Sequence, residues 1–543
     1  MALLAGATRR IWRGEALMGV TLAAMSAPVA MAFAQFGGLP ATTGLYTLIV
    51  PGIVFALLAV TGRLTVAPDA VVIALLAATL APLARPGTGR YVELAAAQAL
   101  LAAAAFALVA LLRLSRVTVL LPRPVLLGFS SAVALDLLVR EIAAMFGIRL
   151  GTRVTDAAAS GFPQHAGAFI ARLGGANAWA LMVAALSLII LLVGRRIARR
   201  LPWELAVYAA TFAAYRVFGL ADNGVTTVGR VTGGRPPFGW PSLAAGQWLE
   251  LIPGALLIAF VALAQHQDAD RVHQSAGARD GIAYAAASAA SGLSGGFALG
   301  PSPARRARLD ELRSVSQLPG FVAALLVLAA LIFGDGFFGH LPTPAFGAIA
   351  AVATWPLLRL GEARALWREA KGELFLALIV FAATLAFGPL WGIAAATAIG
   401  LLRALFAASA PPIDVVDGDG RPIASLRPGS PPPRATAPGV AIVRFAAPVD
   451  AVGAGALARG IRAVTAAEGD SIRHLVLDCE AITGIDSTGA GVLRVVLDEA
   501  RDHGMTVDYC RARAVLRVEL ERYGLLGSSR IFRTDREALD ELG

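Results

Sequence analysis

Long apolar segments separated by short arginine-bearing loops constrain this chain more than any other feature. Between residues 15 and 60 there is one acid, Glu15, and no base. Apolar runs lie at 16–36 and 43–61, then at 69–83, 92–112, 122–146, 178–194, 203–219, 250–268, 281–296, 302–314, 317–336, 343–359, 372–386 and 388–406. These are about fourteen segments, each judged against the roughly 20 residues that cross a hydrocarbon core. The third, ninth, tenth and thirteenth are short or impure. Hydrophobic residues are 57% of the chain, charged residues 15%, and mean hydropathy is +0.68, values outside the range of an ordinary soluble enzyme. A polytopic α-helical membrane protein is predicted, embedded in a lipid bilayer.

The net charge of +10 is almost all arginine, Lys371 being the only lysine. The arginines sit between apolar segments and not in a stripe with aromatics, so nucleic acid is not the expected partner. They follow topology instead. Arg9, Arg10 and Arg13 precede the first segment, Arg113, Arg116 and Arg123 follow the fourth, GRRIARR at 194–200 follows the sixth, and Arg359, Arg364, Arg368 and Lys371 follow the twelfth. An even number of crossings puts all of these on one side, with both termini in the cytoplasm. Arg149 and Arg230 depart from that bias. Ala30-Met31-Ala32 resembles a leader cleavage site, but the apolar pattern runs on into further segments and is read as a retained span.

Residues 411–543 have the composition of a soluble α/β protein. Residues 407–436, ending in RPGSPPPRATAP, read as a Pro/Gly-rich linker between parts at 1–406 and 437–543. In LVLDCEAITGIDSTGAG at 475–491 an apolar strand runs into a turn, Asp486-Ser487-Thr488-Gly489, that caps a following helix. Cys479 and Cys510 lack disulfide or metal spacing and read as core thiols. The six histidines show no metal-ligand spacing. No phosphate-binding loop or nucleophile elbow is present, so neither an enzyme nor a cofactor is expected.

The 475–491 stretch, followed by helix, strand and helix patterns, resembles a STAS domain, shared by anti-sigma-factor antagonists and the tails of SulP anion transporters. PVAMAFAQFGGLPATTGLY at 28–46, GRLTVAPDAVV at 62–72, PRPVLLGFSSAVAL at 122–135 and LIPGALLIAFVALA at 251–264 are similar to SulP signatures, in SulP order. The resemblance implies fourteen segments in two inverted repeats of seven, as core and gate domains, with the third and tenth helices broken and facing each other. It further implies secondary transport of a small anion such as sulfate, bicarbonate or chloride, a homodimer, a bacterial inner-membrane location and a cytoplasmic protein partner for the tail. Broken helices suit anions, because a half-helix presents unpaired N–H groups and the positive end of its dipole. Pro68 and GLSGGFALGPSPARRA at 292–307 permit two such breaks.

For the site, the resemblance points to Phe33, Ala67, Asp69, Ala70, Ser302 and Arg305 for the substrate, with Arg306 as the alternative to Arg305. Asp69 is the expected acid for a coupling Na+ or H+, or a partner of Arg305 in an empty site; its alternative role is a helix cap. The family's acid on the eighth segment is replaced by Gln265, with His266 and Asp268 following, and Val29 replaces a commonly polar residue. Thr488, with Ser487 beside it, matches the phosphorylated hydroxyl of the antagonists. Two other readings stay open: a membrane-tethered STAS regulator without transport, and a dicarboxylate or nucleobase permease.

Overall fold

The computed structural model describes residues 9–59, 65–112, 121–148, 150, 161–198, 201–229, 231, 234–270, 278–314, 316–333, 337–409, 411–426, 430, 434–468 and 471–543. Arg113, Arg116, Arg149, Arg230, the last two arginines of 194–200, residues 62–64 and parts of 407–436 lie outside them. The chain falls into two compact units, 1–398 and 399–543.

In the first unit, α1 (Arg9–Phe36) and α2 (Ala41–Leu58) pack together, and α1 also packs against α12 (Leu318–Phe333). Leu22, Met25, Ala27 and Met31 of α1 are buried in that seam with Leu45 and Ile49 of α2. Between these helices and α12 come α3 (Ala70–Leu80), α4 (Gly89–Leu111), α5 (Arg123–Met145), α6 (Phe162–Ala171), α7 (Ala178–Ile197), α8 (Trp203–Val217), α9 (Ala245–Asp270), α10 (Ala278–Leu293) and α11 (Pro303–Leu312). After α12 follow α13 (Thr343–Thr354), α14 (Leu360–Glu369), α15 (Lys371–Phe387) and α16 (Pro389–Ser409). α4 packs on α9 and α10, and α5 on α13 and α15.

Among the described residues, six helical stretches are long and apolar enough to cross a membrane: Trp12–Phe36, Ala41–Leu58, Gly89–Leu111, Ala178–Ile197, Ala245–His266 and Thr343–Glu369. Hydroxyls inside these and neighbouring helices bond their own backbone. Thr47, Ser187, Thr211 and Thr384 each donate to the carbonyl four residues back, which keeps a polar group satisfied where water is absent. α5 matches the expected fifth segment but carries Asp136, Arg140 and Glu141. Two helices were not anticipated. α6 arises from FPQHAGAFIA, whose Pro and Gly hide the pattern, and α14 from the charged stretch after the twelfth segment.

The expected breaks are present. Val66–Ala67 (β1) and Gly300–Pro301 (β2) form an antiparallel pair, Val66 opposite Pro301 and Ala67 opposite Gly300. From this pair α3 and α11 start, eleven and ten residues long. A Cβ at position 300 would run into Cβ of Asp69 and the side chain of Val72, so only glycine lets the crossing chains approach this closely.

The second unit is a six-stranded sheet in the order β4-β3-β5-β6-β7-β8. The strands are β3 (Ile413–Val416), β4 (Pro422–Ser425), β5 (Val440–Phe445), β6 (His474–Asp478), β7 (Thr506–Cys510) and β8 (Ile531–Phe532). β5 to β8 run parallel, and β3 pairs antiparallel with β4 and β5. One face is covered by α17 (Ala454–Glu468), α18 (Ser487–Asp502) and α19 (Ala514–Arg522) over a core including Leu475, Leu477, Leu493 and Val496. The other is covered by α20 (Asp535–Leu542) over Val416, Ile442, Val476 and Phe532.

This corrects the linker expected over 407–436. Alternating IDVV buries Ile413, Val415 and Val416 against β5, and Pro/Gly-rich neighbours supply the turn between β3 and β4. A truncation removing 437–543 therefore strands the buried faces of β3. It should yield less monodisperse protein, by size-exclusion chromatography, than a truncation removing 411–543.

Candidate functional site

The β1–β2 crossing and α1 enclose a cavity of about 20 Å³ lined by Met25, Ser26, Val29, Ala30, Phe33, Leu48, Ala67, Pro68, Asp69, Ser302, Arg305 and Leu357. Of the residues expected from the sequence, Phe33, Ala67, Asp69, Ser302 and Arg305 meet here, and Ala70 is the buried first residue of α3. Phe33 reaches it from the last turn of α1, five residues past the internal Pro28. Arg305, on the first turn of α11, is 6% exposed and its Nη1 donates to the carbonyl of Val66 at 2.9 Å. Arg306 turns away: a fifth of its side chain is exposed, 3.9 Å from Asp310.

The two half-helix ends are not equivalent. Asp69 is the N-cap of α3, its Oδ1 accepting from the N–H groups of Val71 at 3.0 Å and Val72 at 3.1 Å. Its carboxylate therefore occupies the donors that a bound anion would use there. Among the described residues no Asp69–Arg305 ion pair is present; each group is held by backbone instead. On α11, Ser302 is the N-cap residue but makes no side-chain cap bond, and Pro303 has no N–H to satisfy. The start of α11, with the positive end of its dipole, thus lacks a side-chain cap next to Ser302 and Arg305, which line the cavity.

Two further polar atoms lie at this place. Ser26 Oγ and Arg305 Nε are buried with no hydrogen-bond partner among the described residues. Ser26 was missed in the sequence because a serine in an Ala-rich helix carries no pattern of its own. Orphaned buried donors cost about 1–3 kcal/mol each, so two of them beside one cavity mark a place completed by something else.

Gln265 does not line this cavity. It sits on α9, which packs on α3 and β2, and its Oε1 is buried without a partner among the described residues. Next to it, the ring of His266 lies edge-on to Tyr284, centroids 5.8 Å apart. Asp268 belongs to α9, but its side chain lies outside the described residues.

In the second unit Asp486, Ser487 and Thr488 are exposed. The cap of α18 is the Asp486 carboxylate, accepting from the N–H of Gly489 at 2.6 Å, while the hydroxyls of Ser487 and Thr488 face outward from the first turn. Gly489 is fixed by the carbonyl of Val449, which a Cβ would overlap. Elsewhere the carboxyl ends of β6 and β7 and the start of α20 bring together Asp478, Cys510 and Asp535, whose potential ligand atoms lie within 4.8 Å of one another. Arg511 meets Asp478 at 2.6 Å and Asp535 at 2.8 Å, and Arg444 pairs with Asp478, so the group is an ion-pair cluster. Burial pushes both cysteine thiols up, and Cys510 donates to Asp535 at 2.9 Å, so neither is a reactive thiolate.

The sequence model of the sulfate permease family matches residues 13–380, and that of the STAS domain residues 432–538. A probable sulfate transporter of Mycobacterium tuberculosis is 31% identical over 539 residues, 97% of this chain and 94% of its own. The chloroplastic sulfate transporter 4.1 of Arabidopsis thaliana is 23% identical, across 94% of this chain and 77% of its own. Murine Solute Carrier 26 family member A9, an anion transporter solved in the inward-facing state, has the same fold. It matches with a TM-score of 0.80 at 18% identity, over 98% of this chain and 92% of that one. The transmembrane domain of a cyanobacterium bicarbonate transporter gives 0.57 at 20% identity, over 71% and 98%. Fold and motifs thus define a membrane anion transporter with an α/β tail, not an enzyme. The chain belongs to the sulfate permease family.

The cap at Asp69 is testable apart from transport. Asp69→Ala should cost about 1 kcal/mol of local stability and lower the thermal unfolding midpoint, whereas Asp69→Asn, an equally good cap, should leave it near wild type. Equal loss in both would assign the stability to the charge.

Proposed function

We infer that the protein is a secondary transporter of a small anion of the sulfate, bicarbonate or chloride class, working by alternating access. The observation that carries this reading is the cavity at the β1–β2 crossing, where Phe33, Ser302 and the buried Arg305 converge with the uncapped start of α11 and two orphaned donors. The anion sits on α11 and Arg305, with Ser26 as an added donor, and α3 contributes its wall more than its N–H groups. The cavity has room for only one or two waters, so an oxyanion enters after the walls part. The moving bodies are a core holding α1, α3, α9 and α11 and a gate built from α5, α7, α8, α13, α15 and α16, two inverted repeats of seven segments with both termini cytoplasmic.

Asp69 is the acid that carries a coupling proton or Na+, since Gln265 cannot titrate. The exposed Asp486-Ser487-Thr488 turn is a partner surface of the tail, and the assembly is a homodimer in a bacterial cell membrane.

Reconstituted uptake of labelled sulfate, bicarbonate, chloride and dicarboxylates tests this and separates it from a regulator without transport and from a dicarboxylate permease. Arg305→Ala should reduce uptake at least about a hundredfold while the protein still inserts and elutes as one species, matching the loss of a buried charged hydrogen bond of about 3 kcal/mol. Wild-type uptake in that variant would remove Arg305 from the site. Asp69→Asn should abolish gradient-driven accumulation and keep exchange; retained accumulation would place coupling elsewhere, Asp268 being next. Thr488→Glu should change transport rate or partner capture without unfolding the tail, and unchanged behaviour would leave the turn without a role.

A further inference from the structure

The buried face of α11 carries more positive charge than the cavity at the β1–β2 crossing uses. Among the described side chains of this helix those buried are Arg305, Arg308, Leu309 and Leu312, so two guanidinium groups share the three-and-four spacing that would otherwise seal an apolar face. α11 packs on α1 and on the turn at Trp355–Leu358, and Leu309 shares a core with Leu22 and Met25 of α1. Arg308 is only 3% exposed.

The contacts of Arg308 divide along its guanidinium. Nη1 donates to Oε2 of Glu311 at 2.7 Å, and Glu311 itself is a third exposed. Nε and Nη2, the two nitrogens of the other edge, are buried with no hydrogen-bond partner among the described residues. That edge is a fork whose two N–H groups match two oxygens of one oxyanion in parallel bonds, and a guanidinium has no acceptor of its own, so only an acceptor can fill it. Arg305 adds a third unfilled donor, Nε, one turn earlier, where side chains three residues apart stand about 5–6 Å from each other at Cβ. The remaining charges have other places. Arg306 and Asp310 lie together on the outer face, Arg313 is exposed past the end of α11, and Glu15 near the start of α1 accepts from Ser314 at 3.0 Å and Ser316 at 2.7 Å.

We propose that the Nε–Nη2 edge of Arg308 is a second anion contact, on the cytoplasmic side of the inner site, that takes a small oxyanion in preference to a halide. This rests on the transport function proposed above and deepens it by naming the substrate class. With the N-terminus cytoplasmic, the bonds of Ser314 and Ser316 to Glu15 put the end of α11 at that side, so Arg308 lies about 4.5 Å nearer the cytoplasm than Arg305. The edge is shut in while these ends of α1 and α11 are joined. When they part, an oxyanion leaving Arg305 passes to a second guanidinium instead of meeting an apolar wall. Glu311 balances Arg308 when no anion is there and competes with the anion, which keeps the contact weak enough to release.

The test uses the full chain in lipid nanodiscs with formate and chloride as probes, since both carry one negative charge and only formate offers two oxygens to a fork. Affinity is read from the rise of the unfolding midpoint with anion concentration. Wild type should hold formate at least about tenfold tighter than chloride, the worth of one further charge-assisted hydrogen bond. Arg308→Lys keeps the charge and loses the fork, so it should weaken formate about tenfold and leave chloride within about twofold. Arg305→Ala should keep the preference for formate. Glu311→Gln removes the competing carboxylate and should tighten both anions, a gain that loss of a merely structural ion pair would not give. The proposal falls if Arg308→Lys keeps the wild-type preference or weakens both anions alike, if Arg305→Ala abolishes the preference, or if neither anion raises the wild-type midpoint. Should Arg308→Lys fail to elute as one species, Glu311→Gln decides, and unchanged or weaker formate there overturns the contact. Uptake is read separately: no uptake with the preference lost in Arg308→Lys sinks the transport reading and keeps the contact, and uptake with the preference kept does the reverse.

Discussion

The pairing of Val66–Ala67 with Gly300–Pro301 is the contact on which the rest of the membrane unit depends. Two strands of two residues have little stability of their own, yet they join chain segments more than two hundred positions apart and set where α3 and α11 begin. Their backbone bonds satisfy groups that could not be left bare at that depth in an apolar protein. The close crossing needs the missing side chain at Gly300, and it is what places Arg305 against the carbonyl of Val66. Longer helices then close around this point: α1 brings Phe33 and Ser26, and α9 backs both α3 and β2.

The asymmetry between the two half-helices follows from one side chain on each. Asp69 has an oxygen that reaches its own helix start, and it fills that start; Ser302 has an oxygen that does not. The same dipole argument that predicts two equivalent anion ends therefore yields one occupied end and one open end. Both orphaned donors lie on the open side, one on Arg305 of α11 and one on Ser26 of α1. Toward the far end of α3, Asp136 and Arg140 of α5 meet His165 of α6. Charged groups thus lie near both ends of a single eleven-residue helix whose own body is apolar.

Much of this was legible in the sequence, and what was not has a physical reason. The apolar runs gave the long helices because a bilayer demands length and composition together, and Pro68 and the Gly/Ser/Pro run at 292–301 gave the breaks because those residues start or stop helices locally. Asp486 to Gly489 read correctly as a helix start. The strand β3 was lost inside a Pro/Gly-rich stretch, since four residues of alternating burial carry little signal beside their turn residues. α6 was lost for the same reason. Ser26 and the partners of His165 depend on which residues meet across separate helices, and no spacing along one helix reports that. Of the roles the sequence left open for Asp69, the helix cap is the one seen, and its bonds two and three residues on compete with a pair to Arg305 across the crossing.

The fold asks of position 69 only a short side-chain oxygen able to reach the next turn, a demand that asparagine, serine or threonine meet as well as aspartate. The scaffold is therefore indifferent to whether that position carries a charge. A single replacement there changes by one the charge carried beside the cavity while the cap, and with it the start of α3, stays in place. Charge at this helix start is free to drift independently of architecture.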